Sequence, residues 1–260
     1  MSTRTLITGA SSGIGLELAR LLAQHKHDLI LVARSKGKLH ELASEIQKTS
    51  GVRVSVIESD LSVPGAAKEL HRRCREIHVS PDILINNAGF GDLGPFAQSS
   101  AQKIEEMMNV NMVNLTLLCR YFAEEMVQRK SGHIINVAST AAFQPGPFMA
   151  VYFATKAYVL SFSEALDEEL RPRGVSVTTI CPGPTWTGFQ KRAQATQTRL
   201  LKAPWNMTAK SVALATYQTL QKKPRVYITG LMNRILAVTT RIVPRRWSAK
   251  VISLFNRTKK

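Results

Sequence analysis

The sequence predicts an α/β fold in which one doubly wound parallel sheet lies between two layers of helices. Two observations carry the prediction: short apolar runs recur along the chain, and stretches with helical periodicity separate most of them. Strands buried on both faces read as continuous apolar runs, and their alternation with helices is typical of right-handed βαβ units. A chain of 260 residues fits one such domain.

Seven apolar runs are predicted as the strands of this sheet. They are Thr5–Thr8, Leu29–Ala33, Val52–Ile57, Ile83–Asn86, His133–Ala138, Val175–Ile180 and Val226–Ile228. We expect one long helix over Ala101–Arg129. The pattern continues without a repeat or linker to about Lys222, so we predict a single domain over residues 1–230 and a basic amphipathic tail over residues 231–260.

The composition is that of an ordinary globular protein, with 44% hydrophobic and 20% charged residues, and it argues against disordered and fibrous classes. Cys74, Cys119 and Cys181 are widely separated and lack metal-ligand spacing, so we expect buried free thiols and no metal. The chain starts without an apolar signal region, which favours a cytoplasmic protein.

Charge is distributed unevenly along the chain. The net charge is +17, yet every acid lies at or before Glu169, and residues 170–260 hold 18 bases and no acid. Such asymmetry indicates an anionic partner for this third of the chain: a lipid surface, a phosphorylated substrate or a nucleic acid. Because no recognised DNA or RNA motif accompanies the bases, we expect no specific nucleic acid.

A glycine-rich turn follows the first predicted strand, with the sequence Thr8-Gly9-Ala10-Ser11-Ser12-Gly13-Ile14-Gly15. Glycines let the backbone turn sharply and let a pyrophosphate approach the free N–H groups at the start of the next helix. We therefore expect the turn to bind a dinucleotide. The candidate residues are Gly9, Ser11, Ser12, Gly13, Ile14 and Gly15. The spacing is G-x-x-x-G-x-G, and a simple tight loop is the alternative.

The end of the second strand discriminates between the two nicotinamide cofactors. An acid there binds the ribose 2′-OH of NAD, whereas an arginine accommodates the 2′-phosphate of NADP. The strand ends in Arg34, and Asp28 lies at its other end. An arginine offers several donors to a phosphate, which an acid would repel. We predict NADP(H), with a solvated arginine as the alternative.

Further motifs extend the pattern in a fixed order. With the glycine turn, they are Asp60-Leu61, Asn86-Asn87-Ala88-Gly89, Asn111, Ser139, Tyr152-x-x-x-Lys156 and Pro182-Gly183-x-x-x-Thr187. Over residues 5–187 the chain resembles the short-chain dehydrogenase/reductase family. The resemblance implies a Rossmann fold and hydride transfer between NADP(H) and a carbonyl or alcohol. The longer sugar epimerases share the fold, but their glycine pattern and extra substrate domain are missing.

The resemblance also implies where the cofactor lies. Asp60 would contact the adenine edge, Asn86–Gly89 would form the wall beside the adenosine ribose, and Thr187 would meet the nicotinamide carboxamide. The remaining residues expected at the cofactor are Leu61, Asn87, Ala88, Gly89, Pro182, Gly183 and Thr185, with Tyr152 and Lys156 at the reacting end. We expect Asn109, Asn114 and Asn136 to be structural.

Tyr152 and Lys156 are four residues apart and therefore project from one face of a helix. A free tyrosine titrates near pH 10. We expect the Lys156 ammonium and the oxidised nicotinamide to lower the pKa of Tyr152 so that it serves as acid and base. Ser139 would orient the substrate oxygen. By resemblance, Asn111 would bend its helix and hold a water that links Lys156 to solvent.

The resemblance implies that two loops line the substrate pocket, and their apolar side chains predict a hydrophobic substrate of fatty-acyl or steroid-like character. They lie in Phe143–Met149 and at Trp186 and Phe189, although core packing is an alternative. Residues 188–206 add Lys191, Arg192, Arg199 and Lys202, which could meet an acyl carrier or coenzyme A phosphate. A catalytically silent redox-sensing module is the rival function, and the intact proton-relay residues argue against it.

The tail shows two amphipathic segments separated by Pro244. Apolar residues recur at helical spacing, with bases on other faces. The apolar set is Leu231, Ile235, Val238 and Ile242, then Trp247, Val251, Leu254 and Phe255; the bases are Arg234, Arg241, Arg246, Lys250 and Arg257. We expect these faces to dock on the protein or a partner subunit, with an anionic membrane as the alternative. By resemblance, paired long helices would form a homodimer or homotetramer.

Overall fold

A computed structural model describes residues 2–193, 206–240 and 242–256. Its strands are β1 (Arg4–Thr8), β2 (Asp28–Ala33), β3 (Val54–Glu58), β4 (Ile83–Asn86), β5 (Gly132–Val137), β6 (Val175–Cys181), β7 (Thr185–Trp186), β8 (Met207–Thr208) and β9 (Val226–Ile228). Seven of them form one sheet in the order β3-β2-β1-β4-β5-β6-β9, and β7 pairs with β8. The predicted fold class is therefore confirmed.

Every pair of neighbours in the large sheet is parallel. From β1 the chain first builds outward to β3 and then crosses to β4 on the other side of β1. At such a reversal of strand order, loops leave the carboxyl ends in opposite directions and open a crevice, which is where doubly wound sheets bind their ligands. The topology thus locates the site above β1 and β4.

Ten helices surround the sheets in the described part of the chain. They are α1 (Gly13–Gln24), α2 (Lys36–Ser50), α3 (Ala66–Glu76), α4 (Ala101–Met108), α5 (Asn114–Gln128), α6 (Ala150–Leu170), α7 (Phe189–Arg192), α8 (Ala209–Lys222), α9 (Leu231–Thr239) and α10 (Arg245–Asn256). The boundary between residues 230 and 231 stays a prediction, although α9 does begin at Leu231.

Two apolar cores cover the two faces of the sheet, because successive strand side chains point to opposite sides. Leu6 and Leu84 pack with residues of α3, α5 and α6. Their neighbours Ile7 and Ile85 pack with residues of α1, α2 and α8. This alternation explains why the strands are apolar throughout, and it produces the three predicted layers.

The long helix predicted over Ala101–Arg129 is interrupted by a π-helical segment, Asn109–Val113, between α4 and α5. A π segment adds a residue to one turn and shifts the side chains that follow it. Asn111 lies inside this segment, and its side chain is fully buried. The interruption therefore gives Asn111 a position that an uninterrupted α-helix would not provide.

A buried carboxylate, Asp167 of α6, ties the helix to the strands beside it. Asp167 accepts two hydrogen bonds from Arg171, one from Arg225 and one from the backbone N–H of Val177. Since its side chain is 0% exposed, these donors replace water around the charge. The contacts hold the segment before β9 against β6.

The three cysteines are buried and free, as predicted. Burial raises the pKa of each thiol to about 12, so they behave as small apolar side chains. Among the described residues, no group of three or more His, Cys, Asp or Glu side chains is arranged to hold a metal ion. No helix in those same ranges is long and apolar enough to span a membrane.

Candidate active site

The glycine turn adopts the backbone that its sequence requires. Gly9 and Gly13 have φ values of +68° and +57°, where residues with a Cβ are strained. A Cβ on Gly15 would lie 2.4 Å from the carbonyl oxygen of Gly9, so the third glycine lets the start of α1 pack against the turn. The free N–H groups of α1 consequently face the crevice, an arrangement suited to a pyrophosphate.

Thr8 joins the turn to the loop after β4. Its hydroxyl accepts hydrogen bonds from the backbone N–H groups of Asn87 and Ala88, each at 3.0 Å. The side-chain amide of Asn87 in turn donates to the Thr8 carbonyl at 2.9 Å. A Cβ on Gly9 would lie 3.0 Å from the Ala88 Cα atom. The two sides of the crevice are thus held at a fixed separation.

Arg34 and Asp60 lie together at the outer end of the crevice, with 3.6 Å between Nη1 and Oδ2. Burial alone would raise the pKa of Asp60, but two hydrogen bonds from Ser62 and the charge of Arg34 hold it below its ordinary value. Because the Arg34 side chain is 47% exposed, its guanidinium stays accessible to an anion.

Ser139, Tyr152 and Lys156 meet at the inner end. Lys156 is 4% exposed and donates from Nζ to the Val137 carbonyl at 2.8 Å. The same nitrogen lies 5.9 Å from the centre of the Tyr152 ring. Ser139 follows the end of β5 by two residues, and Tyr152 and Lys156 lie on α6, so one strand end and one helix set their geometry.

The pKa values of this group differ from the expectation drawn from sequence. Burial raises the pKa of Tyr152 to about 12, and a hydrogen bond with Ser139 only partly opposes it. Burial likewise lowers the pKa of Lys156 to about 8, which weakens its charge. In the chain without the cofactor the pKa of Tyr152 is therefore raised, because desolvation prevails over the hydrogen bond with Ser139. The expected lowering in the presence of the oxidised cofactor stays a prediction.

Asn111 is held by three hydrogen bonds and lies behind Gly89. Its amide donates to the Phe90 carbonyl at 2.9 Å and to Thr155 at 3.0 Å, and its oxygen accepts from the Phe90 N–H. A Cβ on Gly89 would lie 3.1 Å from Oδ1 of Asn111 and 3.4 Å from Nζ of Lys156. The side chains of Asn111 and Lys156 therefore both approach the Gly89 backbone, with no room for a larger residue between them.

One cavity of about 690 Å³ runs from the glycine turn to the reacting group. It is lined by these predicted residues: Gly9, Ser11, Ser12, Gly13, Ile14, Arg34, Asp60, Leu61, Asn87, Ala88, Gly89, Ser139, Tyr152, Lys156, Pro182, Gly183, Thr185 and Thr187. Gly15 and Asn111 lie behind this wall, where Gly15 packs against the turn and Asn111 is held by hydrogen bonds, and the roles expected of them stay predictions. Lys38 belongs to the wall but was not predicted, although it lies four residues after Arg34.

The family model described as short chain dehydrogenase matches residues 3–198. The chain belongs to the short-chain dehydrogenase family. It is 32% identical over 219 residues to the ketoacyl reductase HetN of Nostoc, which covers 84% of this chain and 75% of HetN.

A further curated relative is the probable oxidoreductase EphD of Mycobacterium tuberculosis, 35% identical over 182 residues. This match covers 70% of the short-chain dehydrogenase described here but only 31% of EphD, so the chain corresponds to about a third of that relative's length.

Two solved structures share the fold over 92% of the chain. A short-chain dehydrogenase from Sphingobium yanoikuyae in complex with NADPH has 36% identity, a TM-score of 0.83 and 93% of its own chain covered. The bulky-bulky ketone specific alcohol dehydrogenase from Comamonas testosteroni has 33% identity, a TM-score of 0.78 and 92% covered.

The residues of this short-chain dehydrogenase fit a dinucleotide phosphate. The glycine cradle is too close for side chains: a Cβ on Gly13 would lie 3.2 Å from Thr187, and φ at Gly13 is positive. Arg34, Ser35 and Lys38 lie together at the outer end of the cavity, where a 2′-phosphate needs donors and positive charge.

The substrate end of the cavity has apolar walls. Met149 and Phe153 form a buried cluster with Ala141, and Phe189 packs on it with 5.3 Å between the ring centres of Phe189 and Tyr152. Trp186 is a correction, because it is 55% exposed and lies outside this wall. Phe143 packs on the main core instead.

The basic stretch over residues 188–206 is largely outside the described structure. The side chains of Lys191 and Arg192, and all of Arg199 and Lys202, lie outside the described residues.

The C-terminal helices dock on the site, but through a face that sequence did not predict. Asn233, Ala237 and Ser248 are buried, and Asn256 donates from Nδ2 to the Pro147 carbonyl at 2.9 Å. Most of the predicted apolar set stays exposed, from 49% at Ile235 and Val238 to 76% at Leu231 and 82% at Ile242. Phe255, also in that set, lines the cavity. The expected docking on the protein is therefore wrong for the exposed residues and confirmed for Phe255, and docking on a partner subunit stays a prediction.

Proposed function

We propose that the chain is an NADP(H)-dependent oxidoreductase that transfers hydride between the cofactor and the carbonyl or alcohol of a hydrophobic compound. The observation that carries the proposal is the single cavity with Arg34 at one end and Ser139, Tyr152 and Lys156 at the other. The NADPH complex of the Sphingobium relative and the ketone and ketoacyl specificities named for two others support it.

The chain would hold the cofactor along the crevice. The start of α1 meets the pyrophosphate, Arg34 and Lys38 meet the 2′-phosphate, and Thr187 faces the reacting end. The bound cofactor supplies the hydride, and in its oxidised form a positive charge beside Tyr152. That charge favours the phenolate and offsets the burial that raises the pKa of Tyr152 in the chain alone.

The protein's own residues would then move one proton. In carbonyl reduction the Tyr152 hydroxyl donates its proton to the substrate oxygen, which Ser139 orients through a second hydrogen bond. Lys156 stands behind Tyr152 and stabilises the phenolate that remains, and Asn111 would connect Lys156 to solvent through a water. In alcohol oxidation the same phenolate accepts the proton.

The substrate class follows from the walls beside Tyr152. Met149, Phe153, Phe189, Ile252 and Phe255 line this end of the cavity. These walls are apolar, and the hydroxyls of Ser139 and Tyr152 serve only the reacting oxygen of the substrate. Such a site favours a bulky ketone or fatty-acyl carbonyl over a sugar. Since burying an apolar surface contributes roughly 25 cal/mol per Å², such substrates gain affinity without polar contacts.

A screen of carbonyl compounds, acyl thioesters included, against NADPH consumption tests the activity. Tyr152→Phe should lower turnover by roughly 10²–10⁴, the usual contribution of a positioned acid or base, while NADPH binding persists. Tyr158→Phe is the matched control, because Tyr158 lies on the same helix with its hydroxyl near Thr116. Unchanged turnover in Tyr152→Phe would refute the proton relay, and NADPH binding without any turnover would favour a redox sensor.

Cofactor preference has its own test. NADPH should bind more tightly than NADH, and Arg34→Asp should narrow or invert the ratio by removing a charge-assisted contact and adding repulsion. Lys48→Asp makes the same charge change at an exposed position of α2 and should leave the ratio unchanged. Equal affinities for the two cofactors in the unmodified chain would refute this assignment.

We also propose a homodimer or homotetramer in a cytoplasmic setting, formed through the helices around α5 and α6. Met108, Val113 and Tyr158 are 40%, 42% and 37% exposed there. Light scattering after gel filtration would give the mass, and a monomer would contradict the proposal. Peripheral attachment to an anionic membrane belongs to this proposed function as well, and the surface of α9 and α10 supports it.

A further inference from the structure

The described part of residues 231–256, here called the C-terminal strap, has two different sides. Its inner side closes the active-site cavity: Ile252 packs on the cluster of Met149 and Phe153, and Phe255 lines the same space. The hydrogen bond from Asn256 to the Pro147 carbonyl fastens the end of α10 to the substrate loop. Any displacement of the strap would therefore change the substrate end of the cavity.

The outer side carries large apolar side chains in water. The exposed fractions are 76% for Leu231, 82% for Ile242, 62% for Trp247 and 59% for Leu254. Trp247 and Leu254 are seven residues apart and so share one face of α10. Several large apolar side chains exposed on one short segment point to a site of interaction.

Exposed bases alternate with these apolar residues. Arg234, Arg245, Arg246 and Lys250 are all exposed, and none of them takes part in an ion pair among the described residues. Lys250 instead lies 5.5 Å from the Trp247 ring centre. Since no acid occurs after Glu169, the strap also has no acidic residue of its own to offset this positive charge.

Charge complementarity selects one occupant for this side. A second copy docked through the same side would bring the same bases against these bases, which is unfavourable. A nucleic acid would pair with the bases but would leave Leu231, Ile242 and Leu254 in water. An anionic lipid surface satisfies both, because the bases meet phosphates while the apolar side chains enter the headgroup boundary. Helices of 9 and 12 residues lie along such a surface rather than across it.

We propose that the C-terminal strap binds an anionic membrane surface with its outer side and thereby opens the active-site cavity toward the bilayer. This proposal rests on the proposed function, since the strap walls the substrate end of that cavity. Hydrophobic carbonyl compounds dissolved in the membrane then reach Tyr152 without crossing water. The strap thus serves both as the membrane contact and as the movable wall of the substrate site.

Vesicle co-sedimentation tests the contact. The full chain should sediment with phosphatidylserine-containing vesicles, less so with pure phosphatidylcholine, and less at high salt. R245E/R246E should reduce binding about tenfold or more. K210E/K222E is the matched control, because both lysines are exposed on α8 in the same acid-free region and the net charge change is equal. Trp247→Ser should also weaken binding while the salt dependence persists.

Equal loss in the two charge-reversal variants, or equal binding to both vesicle types, would overturn the membrane contact. So would self-association that Trp247→Ser abolishes without lipid, which would assign this side to a second copy. The membrane contact would also be overturned if the full chain bound RNA but not vesicles and R245E/R246E no longer bound the RNA.

Activity tests the opening of the cavity. With a carbonyl substrate dissolved in the vesicles, phosphatidylserine should raise turnover several-fold in the unmodified chain but not in R245E/R246E. With a water-soluble carbonyl substrate, that variant should equal the unmodified chain, because neither arginine lines the cavity. Vesicle binding without any rise in turnover of the bilayer substrate would overturn the opening. If no carbonyl substrate is turned over at all, the proposed function fails, whereas co-sedimentation still decides the contact.

Discussion

Lys156→Met should stabilise the folded chain at neutral pH while abolishing the proposed chemistry. Lys156 is 4% exposed, and burial lowers its pKa from 10.5 to about 8. An ammonium in such surroundings opposes folding, because the unfolded chain returns it to water. Methionine keeps an unbranched chain of similar length without the charge, so the cavity wall remains filled.

The magnitude follows from the two pKa values. Each unit is worth about 1.4 kcal/mol, so the shift from 10.5 to about 8 corresponds to roughly 3 kcal/mol below pH 8. Methionine also loses the hydrogen bond from Nζ to the Val137 carbonyl, which costs about 1 kcal/mol. We expect a net gain of about 2 kcal/mol at neutral pH.

The pH dependence has a definite sign. Between pH 8 and 10.5 the unfolded chain binds more protons at this lysine than the folded chain, so the unmodified chain gains stability as pH rises. The advantage of Lys156→Met should therefore shrink through this window and reach about zero near pH 10.

Urea unfolding at pH 7 and pH 10, followed by circular dichroism, measures both values. Lys48→Met, at an exposed position of α2, should change stability by less than about 0.5 kcal/mol at either pH. If Lys156→Met proves less stable than the unmodified chain at pH 7, the buried lysine is not destabilising and the reasoning fails.

Three further predictions concern contacts that build the site. Thr8→Val removes the acceptor for two backbone N–H groups and should lower the free energy of unfolding in urea by about 3 kcal/mol. Thr8→Ser keeps the hydroxyl and should lower it by under about 1 kcal/mol. Equal losses in the two variants would contradict the role of the hydroxyl. Gly15→Ala should weaken NADPH binding, measured by calorimetry, tenfold or more. Gly37→Ala, which has open space around it, should leave the stability of the fold unchanged or raise it. Intact NADPH binding in Gly15→Ala would contradict the packing argument. Asp167→Ala should lower the free energy of unfolding by about 3 kcal/mol, because its arginines lose a buried partner. Glu168→Ala, at an exposed acid, should lower it by under about 1 kcal/mol. Similar losses would mean that burial of the acid is unimportant.

The fold could be read from the sequence because strand burial leaves a direct record there. Each strand of the large sheet is apolar on both faces, since Leu6 and Ile7 must enter different cores. The predicted strands Ile83–Asn86 and Val226–Ile228 match the observed bounds, and the others differ at their ends by one or two residues. The residues of the cavity wall could also be predicted from the sequence, because many of them follow the carboxyl ends of strands, which meet at one edge of a parallel sheet.

Other features depend on distances that a sequence pattern does not contain. Gly15 is required by an approach of 2.4 Å between its missing Cβ and the Gly9 carbonyl oxygen, not by a place in the cavity wall. The π segment around Asn111 breaks a stretch whose helical periodicity is otherwise continuous. The pKa of Tyr152 depends on whether burial or the hydrogen bond with Ser139 prevails, and that balance is set by the packing of the folded chain.

Helix α9 shows why hydrophobic periodicity can assign the wrong face to the core. Periodicity identifies a core face on the assumption that apolar residues pack inward. In α9 the buried residues are Asn233 and Ala237, because a small or hydrogen-bonding side chain fits against Gly183, where a Cβ would lie 2.2 Å from the Asn233 amide. The space beside Gly183 is too small for leucine or isoleucine. The larger residues must therefore lie outward, and an apolar surface retained there indicates a contact that the folded chain alone does not supply.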